Sequence, residues 1–340
     1  MKRIILNRNE NHYGPAPACM KVIHSFKKDK VNLYLEGSYV SLLTEFLAKK
    51  YKVKESQVIA SYGGEDFLRL VYNRLRLDKD SILTHEHCFG YYKSYANHLS
   101  IPIYFFKMYE REREFSFDIE NCIEKCKTLN PAVLILASPN NYTGNSLPFE
   151  ELELIMNSVS DHTIVILDEV YWGFDKLYNP PNYSHLLEKY PNLIFLRSFS
   201  KFYALAGLRI GFALCGEKAI NLLKYQKPYV GLSRVLEEVA IAAMRSENYY
   251  QKASKRIQRD RSWLLKKTRK LNHFTFYLSK ANFVLFKPDK RAVQILRKEL
   301  NKERRIFWRE LENGFWRVTI GLTKDVKHFY KIINNVDKRS

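Results

Sequence analysis

The sequence predicts an α/β protein built around a mainly parallel sheet flanked by helices. From residue 58 to residue 212, short β-branched or apolar runs alternate with helical patterns, which is typical of repeated β/α units. The chain has 340 residues, of which 46% are hydrophobic, enough for a large core. Beyond Glu217 the pattern changes to long, charged helical stretches. This change indicates a second, smaller domain.

Seven strands are expected in the first part of the chain, at the runs VIASY, SILT, IPIYFF, AVLILAS, TIVILD, LIFLRS and RIGFALC. Helical patterns lie between several of them, at DFLRLVYNRL, FGYYKSYANHL and FEELELIMNSV. Long, charged helical stretches then cover about residues 234–271, and the strand-like runs NFVLF and WRVTIG precede a final helix from Lys324. We therefore expect a large domain over residues 31–245 and a small α/β domain formed by residues 1–30 and 246–340.

Several classes of protein are disfavoured by composition. The first residues, MKRIILNRNENHYGP, hold only a short apolar run, so we expect neither a secretory signal nor a membrane anchor and predict a cytoplasmic protein. No later segment approaches the roughly 20 apolar residues of a spanning helix. The five cysteines are scattered, which argues against a disulfide framework. Cys122 and Cys126 lack a second pair of ligands nearby, so no metal site is expected.

The net charge of +20 is concentrated at one end of the chain. Residues 251–340 hold 25 Lys and Arg against 8 Asp and Glu, whereas residues 1–250 hold 31 against 28. This excess is consistent with a nucleic-acid surface, with steering of an anionic substrate, or with a solvated lysine-rich face. Because no aromatic residues are interleaved in an RNA-binding pattern, the solvated face is favoured and nucleic acid is not the expected partner.

Polar clusters follow three of the predicted strands directly: SPNNYTG, DEVYWGF and SFSK. Ligands of parallel sheets collect at the carboxyl ends of the strands. Lys201 of SFSK is a candidate for a Schiff base with a carbonyl cofactor, which requires its pKa to fall from about 10.4 through desolvation or nearby positive charge. Taken alone, a lysine in a loop is usually a surface residue.

The DEVY and SPNN clusters supply matching groups. Asp168 at the end of a buried strand needs a cation or donors to offset desolvation, and the protonated pyridine nitrogen of pyridoxal phosphate is such a cation. Tyr171 and Asn141 can both donate to the phenolic oxygen of that ring. On its own, Asp168 is better explained as a helix cap or a turn residue.

A phosphate site is indicated by SYGGEDFLRL, in which Gly63 and Gly64 separate a strand from a helix. A glycine turn that opens a helix offers backbone amides to an anion. Ser198, Ser200 and Arg209 can complete the site. A glycine pair by itself most often just makes a turn.

Taken together, these motifs resemble those of the fold-type I, class I/II aminotransferases, and most nearly the histidinol-phosphate aminotransferase branch. The resemblance runs from NRNENHYGP at residue 7 to WRVTIG at residue 321. Its most specific pieces are SPNN-TG, DE-Y, and SFSK followed by LAGLRIG. It implies the fold of pyridoxal-phosphate-dependent transferases of fold type I, with pyridoxal 5'-phosphate as cofactor and a homodimer as the functional state.

The resemblance also implies a role for each matching residue. Lys201 corresponds to the Schiff-base lysine that shuttles a proton between the substrate and the cofactor. Asp168 corresponds to the partner of the pyridine nitrogen, Asn141 and Tyr171 hold the ring oxygen, and Phe89 stacks on the ring. An ordinary core phenylalanine is the alternative for Phe89.

The remaining cofactor contacts surround the phosphate. By resemblance they are the backbone of two residues at a helix start, three side chains, and a tyrosine from the partner subunit: Gly64, Glu65, Ser198, Ser200, Arg209 and Tyr34.

Substrate contacts are implied at four positions. Arg317 of WRVTIG matches the arginine that grips a substrate carboxylate, a geometry suited to a planar fork. Arg309 matches a second arginine that meets the substrate phosphate, although a solvated basic residue is the alternative. Asn11 and Tyr13 would line the same pocket. The expected reaction is transfer of an amino group between glutamate or 2-oxoglutarate and a small phosphorylated amine or amino acid.

The chain departs from the branch's pattern around the substrate mouth. Tyr142 and His87 stand where prolines are usual, and Tyr34 is followed by Leu35 and Glu36 instead of Pro-Asp. These changes leave the cofactor motifs intact and bear on the identity of the substrate.

Two other functions remain open from sequence. The run RSFSKFYALAGLRIG also resembles the threonine-phosphate decarboxylases, which share the scaffold and the lysine. Which bond breaks depends on its orientation to the cofactor ring, and sequence does not report that angle. The second alternative is an inactive, nucleic-acid-binding relative, but the joint presence of Lys201, Asp168 and Tyr171 argues against it.

Overall fold

The computed structural model describes residues 4–27, 41–78, 80–175, 181–223, 231–302 and 306–340. Fifteen strands are found in these ranges: β1 (Ile4–Ile5), β2 (Val58–Ser61), β3 (Ile82–His85), β4 (Ile103–Phe106), β5 (Met108–Arg111), β6 (Glu114–Phe117), β7 (Val133–Ala137), β8 (Ile164–Asp168), β9 (Leu193–Ser198), β10 (Gly211–Cys215), β11 (Phe274–Phe276), β12 (Phe283–Pro288), β13 (Ile306–Phe307), β14 (Arg309–Glu310) and β15 (Trp316–Thr319).

Twelve α-helices occur in the same ranges: α1 (Pro17–Ser25), α2 (Leu42–Tyr51), α3 (Gly64–Asp78), α4 (Gly90–His98), α5 (Ile119–Leu129), α6 (Phe149–Met156), α7 (Tyr183–Lys189), α8 (Glu217–Leu223), α9 (Arg234–Arg245), α10 (Glu247–Thr268), α11 (Lys290–Lys302) and α12 (Thr323–Asp337). No helix in the described ranges is both long enough and apolar enough to cross a membrane.

The large sheet has seven strands in the order β2-β10-β9-β8-β7-β3-β4. Strand β10 runs antiparallel to both of its neighbours, and the pairs from β9 to β4 are all parallel. The predicted class, a mainly parallel mixed sheet, is confirmed, and all seven predicted strand runs are strands of this sheet. The carboxyl ends of β7, β8 and β9 therefore bring their three polar clusters to the same edge.

Both faces of the large sheet are covered by helices. Along β7, Val133 and Ile135 pack into one hydrophobic cluster and Leu134 and Leu136 into the other, as the alternation of side chains across a strand requires. The first cluster includes residues of α3 and α4, and the second includes residues of α5, α6 and α7. Burial on both faces explains why the parallel strands are almost continuously apolar.

A second, antiparallel sheet has the order β11-β12-β15-β14. Helices α10 and α12 pack beside it, and the N-terminal strand β1 pairs with β13 at Ile4 and Ile306. The N-terminal segment is thus paired with the C-terminal part of the chain. The predicted division into domains, 31–245 against 1–30 with 246–340, stays a prediction.

Two features of the elements were not specified by the sequence. The predicted helical region 234–271 contains two helices, and the break between them falls at Ser246, whose hydroxyl donates to the carbonyl of Ala242 at 2.8 Å. A serine that bonds back to its own helix competes with the backbone ladder. The hairpin of β5 and β6 was not predicted, because its sequence, MYEREREFSF, is highly charged.

Candidate active site

A cavity of about 260 Å³ lies between the carboxyl ends of β7, β8 and β9, the start of α3, and strands β14 and β15. It brings together every predicted site residue in the described ranges except Asn11 and Tyr13. Those that line it are Gly64, Glu65, Phe89, Asn141, Asp168, Tyr171, Ser198, Ser200, Lys201, Arg209, Arg309 and Arg317. Tyr34 lies outside the described residues.

Lys201 lies in the turn that follows β9. Its Nζ donates to the backbone carbonyl of Arg8 at 2.8 Å and lies 5.8 Å from the centre of the Tyr171 ring. Lys201 is the only lysine among the described residues that line the cavity. The amine therefore faces a ring and a backbone carbonyl inside the chamber.

Asp168, the last residue of β8, is buried. Its Oδ1 accepts from the amide of Val170 at 3.0 Å, and its Oδ2 accepts from the hydroxyl of Tyr92 at 2.5 Å. No Lys, Arg or His side chain in the described ranges pairs with it. Burial raises the pKa of the Asp168 carboxyl to about 6, although the Tyr92 and Val170 hydrogen bonds oppose that shift. A buried carboxylate of this kind is suited to a ligand that brings a positive charge.

Asn141 and Tyr171 are hydrogen-bonded to each other beside Asp168. The side-chain nitrogen of Asn141 donates to Tyr171 Oη at 2.8 Å, and the side-chain nitrogen of Asn9 donates to the same oxygen at 3.0 Å. Asn141 follows β7 and Tyr171 follows β8, so neighbouring strands place both groups at one edge of the sheet. The pair presents polar groups next to the carboxylate.

The first turn of α3 could hold an anion, because the leading amides of a helix have no partners within it. Gly63 adopts φ +88°, and a Cβ at that position would lie 3.0 Å from Arg209 Nη2. A Cβ on Gly211 would come within 2.8 Å of the Gly63 carbonyl carbon. Arg209 contacts Ser200 Oγ and the Glu65 carboxylate, both at 3.5 Å. Because these two positions are glycines, the side chain of Arg209 can approach the start of α3.

Phe89 precedes α4 and is half-buried at the side of the cavity. Its ring lies 5.7 Å from that of Tyr92 and 6.0 Å from that of Tyr91. The ring of Tyr91 is stacked with that of Phe89, the ring of Tyr92 meets it in a T-shaped contact, and Phe89 also lines the cavity.

Arg317 on β15 is 4% exposed. Its Nη1 donates to the backbone oxygen of Asn141 at 2.7 Å and to the side-chain oxygen at 3.1 Å, while its Nε is buried without a hydrogen-bond partner. No carboxylate in the described ranges pairs with it. Burial lowers the pKa of the Arg317 guanidinium. Such a cation has unused donors for an anionic ligand.

Arg309, on the neighbouring strand β14, is exposed, and no acidic side chain in the described ranges pairs with it. It lines both the cavity and a larger outer depression of about 1140 Å³. That depression also contains His87 and Tyr142, whose rings are 5.1 Å apart. The two positions that depart from the family pattern therefore form part of the approach to the cavity.

Asn11 and Tyr13 lie outside the cavity lining. The side chain of Asn11 donates to the backbone carbonyl of Phe202 at 3.0 Å and accepts from the amide of Tyr13. Tyr13 packs against the main hydrophobic cluster, and the Arg256 guanidinium lies 5.6 Å from its ring centre. Both residues fix the course of the N-terminal segment in this structure.

Two N-terminal residues, Asn7 and Arg8, line the cavity, and the side chain of Asn9 donates to the hydroxyl of Tyr171. Sequence reasoning missed these three residues, and it also missed Tyr92. The segment NRNEN belongs to the family resemblance, but its spacing alone does not indicate which of its asparagines lines the cavity.

Comparison with families of known proteins gives one match along nearly the whole chain. The family model described as "Aminotransferase class I and II" matches residues 2–333. Among curated proteins, the chain is 29% identical over 338 residues to histidinol-phosphate aminotransferase 2 of Legionella pneumophila strain Paris, covering 98% of this chain and 89% of that protein. It is 27% identical to histidinol-phosphate aminotransferase of Methanocaldococcus jannaschii, with the same coverage.

Solved structures with the same fold include two of different activity. Histidinol-phosphate aminotransferase from Sinorhizobium meliloti, in complex with pyridoxal-5'-phosphate, has a TM-score of 0.85 at 21% identity and covers 99% of this chain and 92% of its own. L-threonine-O-3-phosphate decarboxylase from Porphyromonas gingivalis has a TM-score of 0.81 at 17% identity, with 98% of both chains covered. At these identities the likeness concerns the fold.

Proposed function

The chain belongs to the aminotransferase class I and II family, and we propose that it transfers an amino group between glutamate and a small phosphorylated amine or amino acid. Membership confirms the predicted enzyme class, a pyridoxal-phosphate-dependent aminotransferase, and the predicted cofactor. The names of its curated relatives support a phosphorylated substrate. The observation that carries the proposal is that two guanidinium groups, those of Arg309 and Arg317, line one cavity together with Lys201.

The cavity fits the ring of pyridoxal phosphate. Asp168 is buried, has no cationic partner among the residues that the structure describes, and can hold the protonated pyridine nitrogen. Asn141 and Tyr171 lie next to it and can hold the ring oxygen, and Phe89 can stack on the ring from the α4 side. Each of these groups lines the same chamber.

The cofactor phosphate fits the other end of the cavity. The backbone amides of Gly64 and Glu65 open α3, and Ser198, Ser200 and Arg209 add hydroxyls and a positive charge. Hydrogen bonds from charged donors to phosphate are short and strong. The carboxylate of Glu65, at 3.5 Å from Arg209 Nη2, balances part of that charge.

Bound in this site, pyridoxal phosphate supplies an electron sink for the pair left when a substrate Cα–H bond breaks. Lys201 is the residue that we assign to carry the cofactor and to move the substrate proton, because no other lysine among the described residues lines the cavity. Asp168 would keep the ring nitrogen protonated, since its buried carboxylate is most stable beside a cation.

The substrate groups are bound by the two arginines. Arg317 presents unused donors from a buried position and would take the carboxylate of glutamate or of an amino acid. Arg309 lies where the cavity meets the outer depression and would take the phosphate. Glutamate lacks a phosphate, so the two half-reactions depend on Arg309 to different degrees.

We further propose a homodimer in which Tyr34 of the partner subunit completes the phosphate site. This part rests on the family resemblance, because Tyr34 lies outside the described residues. The cytoplasmic location expected from the sequence likewise stays a prediction.

A half-reaction screen tests the proposal. The cofactor-loaded protein is mixed separately with glutamate, histidinol phosphate, phosphoserine and an aromatic amino acid, while its visible absorption and released carbon dioxide are recorded. We expect glutamate and a phosphorylated amine to bleach the visible band and to yield the corresponding oxo compounds. Stoichiometric carbon dioxide from a phosphorylated amino acid, without amino transfer, would instead assign the chain to the decarboxylases.

Arg309→Ala sharpens the assignment of the phosphate. Loss of a charged hydrogen bond costs about 1.5 to 3 kcal/mol, so we expect kcat/KM for the phosphorylated substrate to fall roughly 10- to 150-fold while that for glutamate is spared. Arg291→Ala, on the exposed side of α11, is the matched control for loss of positive charge. An equal loss for both substrates in Arg309→Ala would rule out the phosphate role.

A further inference from the structure

Asn9 is a buried polar residue that joins three parts of the molecule. It is 1% exposed and adopts φ +54°. Its side-chain nitrogen donates to Tyr171 Oη at 3.0 Å, and its amide donates to Thr319 Oγ1 at 3.0 Å. Its carbonyl accepts from the side chain of Asn282 at 3.0 Å. Asn9 thus links the N-terminal segment to the small sheet and to the loop after β8.

The donors in this network can be assigned from Arg317. A guanidinium only donates, so the atom of Asn141 that lies 3.1 Å from Arg317 Nη1 is the side-chain oxygen. The side-chain nitrogen of Asn141 is then the atom that lies 2.8 Å from Tyr171 Oη. Asn141 therefore donates to the phenol.

The side-chain oxygen and nitrogen of Asn9 can be assigned in the same way, from the hydroxyl of Thr319. Thr319 Oγ1 accepts from the Asn9 amide, and its own proton goes to the side-chain oxygen of Asn9 at 3.1 Å. The side-chain nitrogen of Asn9 is left to face Tyr171. Two amide nitrogens consequently donate to one phenolic oxygen.

A phenolic oxygen has one proton and two lone pairs. Since both lone pairs of Tyr171 are occupied, its hydroxyl proton must point in a third direction. No acceptor for that proton is found among the residues that the structure describes, although Tyr171 is 4% exposed and lines the cavity. The hydroxyl of Tyr171 is therefore available to donate a hydrogen bond to an oxygen of a ligand bound in the cavity.

We propose that Asn9 is a positioning residue that, with Asn141, fixes Tyr171 as a hydrogen-bond donor to the ring oxygen of the bound cofactor. The inference rests on the proposed role of Tyr171 in the cofactor site. The network begins and ends on β15, at Arg317 and Thr319, so the strand that carries the carboxylate-binding arginine also sets the orientation of the cofactor-binding tyrosine.

The alternative is that Asn9 only holds the N-terminal segment in place. Asn9→Gly separates the two roles, because glycine suits the positive φ and removes only the side chain. Asn282→Ala is the matched control, since it deletes another buried hydrogen bond to Asn9 without touching Tyr171. Tyr171→Phe, alone and combined with Asn9→Gly, completes a double-mutant cycle.

The measurement is a pH titration of the visible absorption of the bound cofactor, with no substrate present. A donor to the ring oxygen stabilises negative charge on it, so loss of the donor should raise the midpoint by about one pH unit or more. We expect this upward shift in Asn9→Gly and in Tyr171→Phe, no further shift when they are combined, and a midpoint for Asn282→Ala equal to that of the unmodified protein.

An unchanged midpoint in Asn9→Gly, or shifts that add fully in the combined variant, would overturn the inference. If Asn9→Gly does not fold, Asn9→Asp serves instead, because its carboxylate accepts the Tyr171 proton and should raise the midpoint at least as far. Because no substrate is used, the outcome is independent of whether amino transfer occurs. Failure of transfer with a positive titration would refute the proposed reaction alone.

Discussion

At the scale of single residues, the site concentrates groups whose burial is unfavourable until a ligand binds. Within the part of the chain that the structure describes, Asp168 has no cationic partner and the buried Nε of Arg317 has no hydrogen-bond partner. In the absence of a ligand each group costs free energy through desolvation. Bound cofactor and substrate supply the missing charges, so binding and stability are coupled at these residues.

The cost at Asp168 predicts an unusual effect of Asp168→Asn on the cofactor-free protein. The pKa of the Asp168 carboxyl is about 6 in the folded protein, against an ordinary 3.8. The folded state therefore binds the proton more tightly, and the cost of the ionised carboxylate is fully present above pH 6 and disappears as the pH falls below about 4. We expect Asp168→Asn to raise the free energy of unfolding at pH 7.5 by about 1 to 3 kcal/mol.

Urea denaturation at pH 7.5 and at pH 4 measures this difference. The gain should shrink at the lower pH, and Asp161→Asn, at an exposed position, serves as the control. Adding cofactor at pH 7.5 should reverse the order of stability, because only the unmodified protein offers the carboxylate. A cofactor-free Asp168→Asn protein that is less stable than the unmodified one at pH 7.5 would contradict the assignment.

Some site residues could be predicted from the sequence because they lie near strand ends, and others could not because their contacts join distant parts of the chain. Asp168 ends strand β8, and Tyr171 and Lys201 lie three residues after the ends of β8 and β9, so local pattern and order indicated them as candidates. Tyr92 lies 76 residues before its partner Asp168, and Asn9 lies 162 residues before Tyr171. Those contacts depend on how whole elements pack, and no local pattern of residues encodes them.

At the scale of elements, the loop after β7 and the turn between β14 and β15 meet across the mouth of the cavity. The hydroxyl of Tyr142 donates to the carbonyl of Glu312 at 3.0 Å, and its ring packs beside His87 and Phe315. Burial raises the pKa of Tyr142 to about 12, so the hydroxyl stays a donor at neutral pH. This contact ties the segment that follows Arg309 to the loop that carries Asn141.

Tyr142→Phe is expected to remove the hydrogen bond to the Glu312 carbonyl while keeping the ring contacts. The loss of one neutral hydrogen bond costs about 0.5 to 1.5 kcal/mol, so the KM for the phosphorylated substrate should rise roughly 2- to 12-fold with kcat nearly unchanged. Steady-state kinetics with glutamate, which does not need Arg309, should show little effect. Tyr104→Phe on the exposed part of β4 is the control, and an equal rise for both substrates would contradict this role.

Prediction of the elements succeeded for the seven strands of the large sheet and also for β12, β15 and α12, and it missed the hairpin of β5 and β6. The strands of the large sheet are covered on both faces, which makes their sequences distinctive. The hairpin of β5 and β6 is rich in charged residues, and the break at Ser246 depends on a single hydroxyl. Neither feature gives a signal strong enough to separate it from its surroundings.

At the scale of the whole molecule, the two ends of the chain come together around the site. Strand β1 pairs with β13, and the amide of Thr319 donates to the carbonyl of Leu6 at 2.9 Å. The order of the motifs along the chain was sufficient to predict the family and the fold. It could not predict that Asn7 and Arg8, instead of Asn11 and Tyr13, line the cavity, because that depends on the path of an irregular segment.

The proposed homodimer can be tested by complementation between two inactive proteins. Tyr34→Ala and Lys201→Ala are each purified, mixed under conditions that exchange subunits, and assayed for amino transfer. If Tyr34 serves the partner's site, each mixed dimer has one site with both residues intact, and up to about a quarter of the original activity should return. This figure assumes random pairing into half mixed dimers with one good site each, as expected for a symmetric dimer.

No recovery of activity in a mixture proven to contain mixed dimers would place Tyr34 in its own subunit's site or in none. A protein that sediments as a monomer under assay conditions, while remaining active, would contradict the dimer itself. Mixing either variant with an excess of itself is the control for simple concentration effects.

Lys201 is the residue to which we assign the cofactor, and chemical fixation of the cofactor to the protein tests this assignment most directly. The cofactor-loaded protein is reduced with borohydride, digested, and examined by mass spectrometry, alongside Lys201→Ala and the surface control Lys218→Ala. The pyridoxyl group should appear on the peptide that contains Lys201 in the unmodified protein and in Lys218→Ala, and should be absent from Lys201→Ala. A cofactor fixed to another lysine, or still fixed in Lys201→Ala, would contradict the account.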